Sequence, residues 1–319
     1  MQQVLSALTM PSDKNIRYLL VILAAILVMM AATSGGTFFS LTNLQSMSSQ
    51  MPLLGILALA MAICMLTGGI NLSIIASTNA CGLVMASIIT QAPDSTWMLI
   101  AALAAGLVTA IIIGIANGML IAYVGVSPIL ATLGMMTFIN GLNLLISGGS
   151  VISGFPEALL VLGNGTVAGI PMPLILFAVF ALGLWGLLEH TPLGRYIYLI
   201  GSNEKATRFS GINTQKALVY VYIISSILCW IAAIIMMAKF NSAKAGYGES
   251  YLLIAILAAV LGGIHPDGGF GRIIGIVLAL VVLQTLESGL NILGVSSYLT
   301  MTLWGAILII FISLQRFRS

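Results

Sequence analysis

Apolar runs recur along the chain at membrane-spanning length, separated by short segments rich in Gly, Ser and Asn. A helix crosses the hydrocarbon core with about 20 apolar residues. On that measure the pattern predicts helices at 18–34, 51–67, 72–91, 97–123, 127–147, 171–189, 217–238, 250–263, 272–290 and 297–315. The stretch at 250–263 is short and reads as a broken or half-length span. The expected fold is an all-α polytopic membrane protein, with residues 1–319 forming one transmembrane domain of about ten helices.

Charge supports an even number of spans. No Lys or Arg stands between Arg17 and Arg195. Lys14 and Arg17 precede the first span, and Arg195, Lys205, Arg208 and Lys216 crowd one loop. Arg272 stands alone, and Arg316 and Arg318 close the chain. Cytoplasmic loops carry the excess of basic residues. Ten helices with both termini cytoplasmic place all the basic residues inside except Lys239 and Lys244. The first apolar run follows Lys14 and Arg17 as a signal peptide would, but the many later spans favour an uncleaved first helix.

Composition agrees. Hydrophobic residues make up 60% of the chain and charged ones 6%, against roughly 25% charged in soluble domains. The net charge of +3 and the lack of a basic, aromatic-interleaved patch leave no case for nucleic acid. Cys64, Cys81 and Cys229 sit in apolar runs without CxxC spacing and read as small buried hydrophobes, not redox or metal groups. No catalytic set and no metal site emerge. HExxH and GxSxG are absent, and so is any Gly-Lys pair, so the chain has no Walker loop for ATP phosphates. His190 beside Glu189 is the nearest approach to a catalytic pair, and adjacent helical positions do not face one another.

The loops expected outside, 35–50 and 148–170, are rich in Gly, Ser, Thr and Asn, and the second is long enough for a short surface helix. A loose echo links LTGGINLS (66–73) with LGGIHPDGG (261–269), each a Gly pair ending an apolar run. Two roles fit the first of these. Gly68 and Gly69 turn the chain while Asn71 caps the next helix, or the freed backbone with Asn71 and Ser73 contacts a polyhydroxyl solute. Asn79, Asn117, Asn140, Asn143, Thr132 and Ser225 stand on otherwise apolar helices. Each must bond across helices or line a wet pathway. The small-xxx-small spacings Gly114 to Gly118 and Gly271 to Gly275 suit close helix packing. Glu287 lies near the outer end of its span, where a carboxylate reaches interfacial water or takes part in a pathway.

The one long charged segment, 190–216, differs from all other loops. Asn203 reads as an N-cap for a short helix through Glu204 and Arg208, which Gly211 stops. A compact helix held between two spans is a handle for a partner.

Within it, TPLGRYIYLIGSNEKATRFSGI (191–212) resembles the coupling-loop signature of permease subunits from ribose-type, binding-protein-dependent ABC importers. GGINLS with the following STNACGLVMA, SPILATLGMM (127–136), LAAVLGGIHPDGGFGRIIG (257–275) and SGLNILGVSSYLTMTLWGAILI (288–309) resemble further family segments, in order. The resemblance implies a type II-like ABC importer permease in the bacterial inner membrane, a transport subunit and not an enzyme. It moves a monosaccharide or related small polyhydroxyl solute inward. It pairs with a second copy of itself or with a homologous permease. It grips a cytoplasmic ABC ATPase subunit through Gly194, Arg195, Asn203, Glu204, Arg208 and Gly211. ATP and Mg are expected on that ATPase, and no cofactor on this chain. A periplasmic or extracellular solute-binding protein delivers solute, with Lys239, Lys244 and Glu249 as candidates for its docking. Gly68, Gly69, Asn71, Ser73, Asn79, Asn117, Asn140 and Asn143 are candidates for the translocation pathway.

Two departures bear on that reading. The family's Asp in the Gly-Gly motif is Asn71 here, and Leu252-Leu253-Ile254 replace its Glu-Leu-Asp. Similar neutral replacements occur in permeases resembling those of autoinducer-2 importers, which work as half of an unequal pair. A different class, the ATP-independent secondary carrier or facilitator, is opposed by the scarcity of ionisable groups within the spans.

Overall fold

The computed structural model describes residues 11–34 and 36–316; Arg318 lies outside the described residues. Helix α1 spans Pro11–Thr33, and a short 3-10 turn, Thr37–Phe39, leads to α2, Leu41–Met65. Then come α3 (Ile74–Ile89), α4 (Thr96–Ala122) and α5 (Pro128–Ser147). After β1 (Ile152–Ser153), α6 (Glu157–Asn164), β2 (Thr166–Val167) and β3 (Ile170–Pro171), the chain continues as α7 (Met172–His190) and α8 (Pro192–Phe209). It ends with α9 (Thr214–Phe240), β4 (Ser242–Ala243), α10 (Tyr251–Leu261), α11 (Ile273–Ile292) and α12 (Ser297–Arg316).

Among the described residues, seven helices are long and apolar enough to cross a membrane, and α3, α10 and part of α12 are shorter apolar helices. Together they stand where the hydrophobic pattern puts the ten spans. The two remaining α-helices fall in loops: α6 in 148–170 and α8 in 190–216. At 1.5 Å per residue, α10 is about 16 Å long, roughly half the hydrocarbon core.

Two helices start well before their apolar runs: α1 at Pro11, where the pattern gives 18, and α2. Residues 41–50 were expected in a polar loop, yet α2 already begins at Leu41. The Ser40 hydroxyl caps it by accepting from the Asn43 N–H at 3.3 Å, and the Asn43 amide donates to Phe38 O at 2.8 Å. Such caps start a helix on local hydrogen bonds, before any apolar periodicity exists.

Helices α2 and α9 form the centre. Every residue from Leu53 to Leu66 is buried, as is every one from Ile231 to Ala238. A helix that is apolar all round belongs inside a bundle. Helix α4 instead exposes Val108, Ile112 and Met119 on one face. Its other face carries Gly114 and Gly118 onto α9. A methyl at Gly114 would sit 2.6 Å from Ile223 Cα, and one at Gly118 2.7 Å from Val219 Cα. Backbones that close require the missing side chains. Gly275 likewise packs on the Gly262 carbonyl.

The sequence echo is a shared helix cap. Gly68 (φ 79°) ends α2, with its own N–H bonded to Met65 O and the Gly69 N–H to Cys64 O. Gly263 (φ 87°) ends α10, with its N–H bonded to Val260 O and the Ile264 N–H to Ala259 O. Both are Schellman caps, which satisfy the last helical carbonyls through a left-handed residue. The pairs are offset by one: Gly68, first of its pair, matches Gly263, second of its own.

On the face away from α8, β1 pairs antiparallel with β4, matching Ile152 to Ala243 and Ser153 to Ser242. Helix α6 lies against the end of α9. The Asn164 amide donates to Ala238 O at 2.8 Å, and the Phe155 N–H to Asn241 Oδ1 at 3.0 Å.

Candidate functional site: a seated surface helix and a polar core

Helix α8 starts in a tight fold. Thr191 caps it by accepting from the Gly194 N–H at 3.2 Å. Gly194 packs on the carbonyls of Leu187 and Leu188, where no side chain fits. Ile197 and Ile200 are buried and Arg195 is exposed, so the helix lies with one apolar face against the bundle.

At Asn203 the helix breaks into an extended residue (φ −163°, ψ 98°). Its Oδ1 accepts from the Ala206 N–H at 2.9 Å, and the Thr207 hydroxyl donates to Asn203 O at 2.8 Å. A last helical turn follows, and Gly211 (φ 83°) stands beyond its end. This is the expected cap and stop. Glu204 and Arg208 are exposed on that turn. So is Phe209, at 92%, which the sequence reading passed over. Only the fold shows that its ring is left outside; its apolar character alone pointed to burial.

Beneath α8 three backbone segments meet through glycines. Gly201 packs on the Leu66 carbonyl and the Gly269 N–H. The Gly269 N–H itself donates to Leu66 O at 2.9 Å. A methyl at Gly268 would lie 2.9 Å from the Cα atoms of both Gly201 and Gly68. The surface helix thus rests directly on the end of α2 and on the loop between α10 and α11. The Tyr198 hydroxyl donates to Gly271 O at 2.9 Å. It is pushed up to about 12, chiefly by burial, with Glu189 adding and Arg272 opposing, so it stays a protonated donor. A cavity of about 680 Å³ opens here, lined by Glu189, Tyr198, Ser202, His265, Asp267 and Arg272 among others.

The polar residues of the core form a directed chain. Asn117 Nδ2 donates to Ser73 Oγ (2.9 Å), which donates to Asn71 Oδ1 (2.7 Å). Asn71 Nδ2 donates to Ser225 Oγ (3.1 Å), which donates to Ala60 O (2.8 Å). Asn71 also accepts from the Ser73 N–H at 3.1 Å, closing an Asx turn two residues on instead of capping α3. The Thr132 hydroxyl accepts from the Leu72 N–H (3.1 Å) and has two carbonyls in reach of its one proton, Pro128 O at 2.8 Å and Ile70 O at 3.0 Å. Asn143 and Asn79 donate to Ala76 O and Tyr247 O, each at 3.1 Å. Asn71, Ser73, Asn79, Asn117 and Asn143 are buried and Asn140 is half-buried. None of them lines the three cavities described. The arrangement ties five helices and two turns together.

Losing Asn71 strands the groups it joins. Asn71→Ala is expected to cost about 1–3 kcal/mol, the range for leaving buried partners unsatisfied. Asn140→Ala, whose amide has no partner among the described residues, is expected to cost close to nothing. Thermal unfolding of the purified chain in detergent measures both. Equal midpoints for the two variants would refute the network.

On the opposite face Lys244 and Glu249 are exposed, while Lys239 is half-buried. The Lys239 ammonium turns inward, donating to Ser49 O at 2.6 Å and to its hydroxyl at 3.1 Å. Lys239 therefore does not join the other two at the surface.

Residues 43–312 match the family described as branched-chain amino acid transport system / permease component. The chain is 37% identical to the ribose import permease protein RbsC of Escherichia coli (strain K12), over 90% of each chain. It is 35% identical to that of Bacillus subtilis (strain 168), over 92% of this chain and 91% of the relative. Identity to the autoinducer 2 import system permease protein LsrD of Photorhabdus luminescens is 37%, over 81% and 78%. No solved structure matches.

Proposed function

Because this chain belongs to the branched-chain amino acid transport system / permease component family, we propose that it is the membrane pore of an ATP-driven importer for a monosaccharide or related small polyhydroxyl solute. It is a multi-pass transport subunit and not an enzyme. The relatives named for ribose import and for autoinducer 2 import support the solute class.

The observation that carries the reading is the seat of α8. A helix that presents Glu204, Arg208 and Phe209 outward, and rests through Gly201 on two core turns, accepts a push from a partner and passes it inward. The partner is a cytoplasmic ATPase, which binds the ATP and Mg this chain has no loop to hold. Residues Gly194, Arg195, Asn203 and Gly211 shape the handle. A solute-binding protein meets the opposite face, where Lys244 and Glu249 are exposed. A cytoplasmic N-terminus is supported by α1, whose Asn15 lies beside Gly263 on the α8 side of the bundle, and an even number of spans puts the C-terminus on the same side.

A second permease completes the pore. It is a second copy of this chain or a homologous permease; Asn71, in place of the family's Asp, keeps the unequal pair as an alternative. Crosslinking with each candidate partner separates the two.

The test is reconstitution. Vesicles with this chain, the ATPase and the binding protein take up labelled sugar with ATP, and vesicles with the chain alone do not. Arg208→Glu is expected to lower ATPase co-purification about tenfold, as for losing a charged contact at an interface. Solute exchange by the chain alone would make it an ATP-independent carrier instead. Unchanged co-purification by Arg208→Glu would remove α8 as the handle.

A further inference from the structure

A third cavity, of about 270 Å³, opens on the face opposite α8, among α2, α9, α10 and α11. Gln50, Lys239, Phe240, Tyr251, Gln284 and Glu287 supply its polar and aromatic lining. We propose that this cavity is a solute site of the importer and takes one neutral polyhydroxyl ring at a time. The proposal rests on the importer reading above and adds the place where solute first meets the permease.

Three features point to the ligand. First, Gln284 and Glu287 stand three residues apart on α11, so both face the same side. Neither has a hydrogen-bond or ion-pair partner among the described residues, although Gln284 is only 6% exposed. The Gln284 amide opens onto the cavity without a protein partner, so a solute hydroxyl replaces water on it. An amide donates and accepts and a carboxylate accepts twice over, which suits vicinal hydroxyls.

Second, the charges balance. The Lys239 ammonium is held by Ser49 at the wall, at 2.6 Å and 3.1 Å, and Glu287 supplies one negative charge. A lining with one charge of each sign favours a neutral solute over an anion or a cation.

Third, Phe240 and Tyr251 add two aromatic rings to these polar groups, and Phe240 is held edge-to-face on Tyr247 with centroids 5.7 Å apart. Ring faces receive the C–H side of a sugar while the polar groups take its hydroxyls. The volume lies just below the ~300 Å³ at which pockets for drug-sized ligands begin, so the occupant is small.

The position also suits transport. Helix α10 begins at Tyr251, in this cavity, and its cap at Gly262 and Gly263 joins the loop that bears on α8. One short rigid element therefore touches both the solute site and the seat of the handle.

The test uses the complete importer with its ATPase and binding protein. From labelled D-ribose, D-xylose and D-galactose, the sugar transported fastest is the probe. Glu287→Leu is expected to lower its uptake about tenfold, and Gln284→Leu similarly, the usual worth of a hydrogen bond involving a charged or buried group. Glu287→Gln, which keeps the hydrogen bonding, is expected to restore most of it. Glu287 is exposed, so its variants spare the core even where Gln284→Leu fails to fold. In parallel, Glu287→Cys is labelled with a maleimide in membranes, since Cys64, Cys81 and Cys229 are buried. The probe sugar is expected to slow that labelling.

Normal uptake by Glu287→Leu, or labelling that the sugar leaves unchanged, overturns the site. Absence of ATP-driven uptake by the unsubstituted complex overturns the importer reading instead, so the two failures are distinct.

Discussion

Gly201→Ala is expected to lower ATP-driven uptake about thirtyfold while the chain still reaches the membrane. A methyl at this position meets the Leu66 carbonyl and the Gly269 N–H, both backbone groups that cannot rotate away. Room is made only by breaking the hydrogen bond between them and lifting α8 from its seat. Overpacking alone costs about 1–3 kcal/mol, and each buried backbone group left without a partner costs a comparable amount. A loss of 2 kcal/mol in the coupled state corresponds to about thirtyfold in rate. Glu204, Arg208 and Phe209 lie beyond the break at Asn203, so the ATPase is expected to stay bound. The signature is thus a complex that assembles and hydrolyses ATP while moving little solute. Gly186→Ala on α7, where a methyl meets nothing within 4 Å, is the control and leaves uptake unchanged. Wild-type uptake by Gly201→Ala would mean that motion does not pass through this joint.

Gly114→Leu is expected to prevent the bundle from forming. The side chain would enter the space held by Ile223 Cα and Tyr222 O, 2.6 Å and 2.9 Å from the first added carbon. No rotamer avoids a backbone at that distance, so α4 and α9 must part. Their contact also includes Gly118 and holds Asn117 against Ser73. The expected cost is about 3 kcal/mol or more, beyond the usual overpacking range because a whole helix shifts. The measurement is the yield of monodisperse protein after detergent extraction, expected to fall about tenfold or more. Gly134→Ala on α5, open to space within 4 Å, is expected to leave the yield intact. A well-folded Gly114→Leu chain would show that α4 and α9 do not need this approach.

The polar core shows how residue type and residue role part company. Asn71, Ser73 and Asn117 were recognisable as out of place in apolar helices. The sequence leaned towards packing without excluding a pathway, because an amide needs a partner in either case. Their burial and mutual bonding describe cross-ties in this conformation. Glu287 stood out in the sequence as a carboxylate near a span end, suited to interfacial water or a pathway, whereas Gln284 carried no signal, since nothing along the chain announces that α2, α9 and α10 leave a cavity opposite them.

The span positions, the Gly-capped helix ends and the break at Asn203 were all fixed locally by the amino-acid sequence. Apolar length against the hydrocarbon thickness sets the first, and left-handed glycines and side-chain caps set the others, within a few residues of chain. Tertiary structure alone decided which glycines touch, which amides share a bond, why Phe209 stays outside and where a polar cavity opens. Those outcomes depend on pairs such as Leu66 with Gly269, or Asn71 with Ser225, that are distant along the chain. Such pairs form only when helices pack, and no local pattern encodes which backbone will arrive.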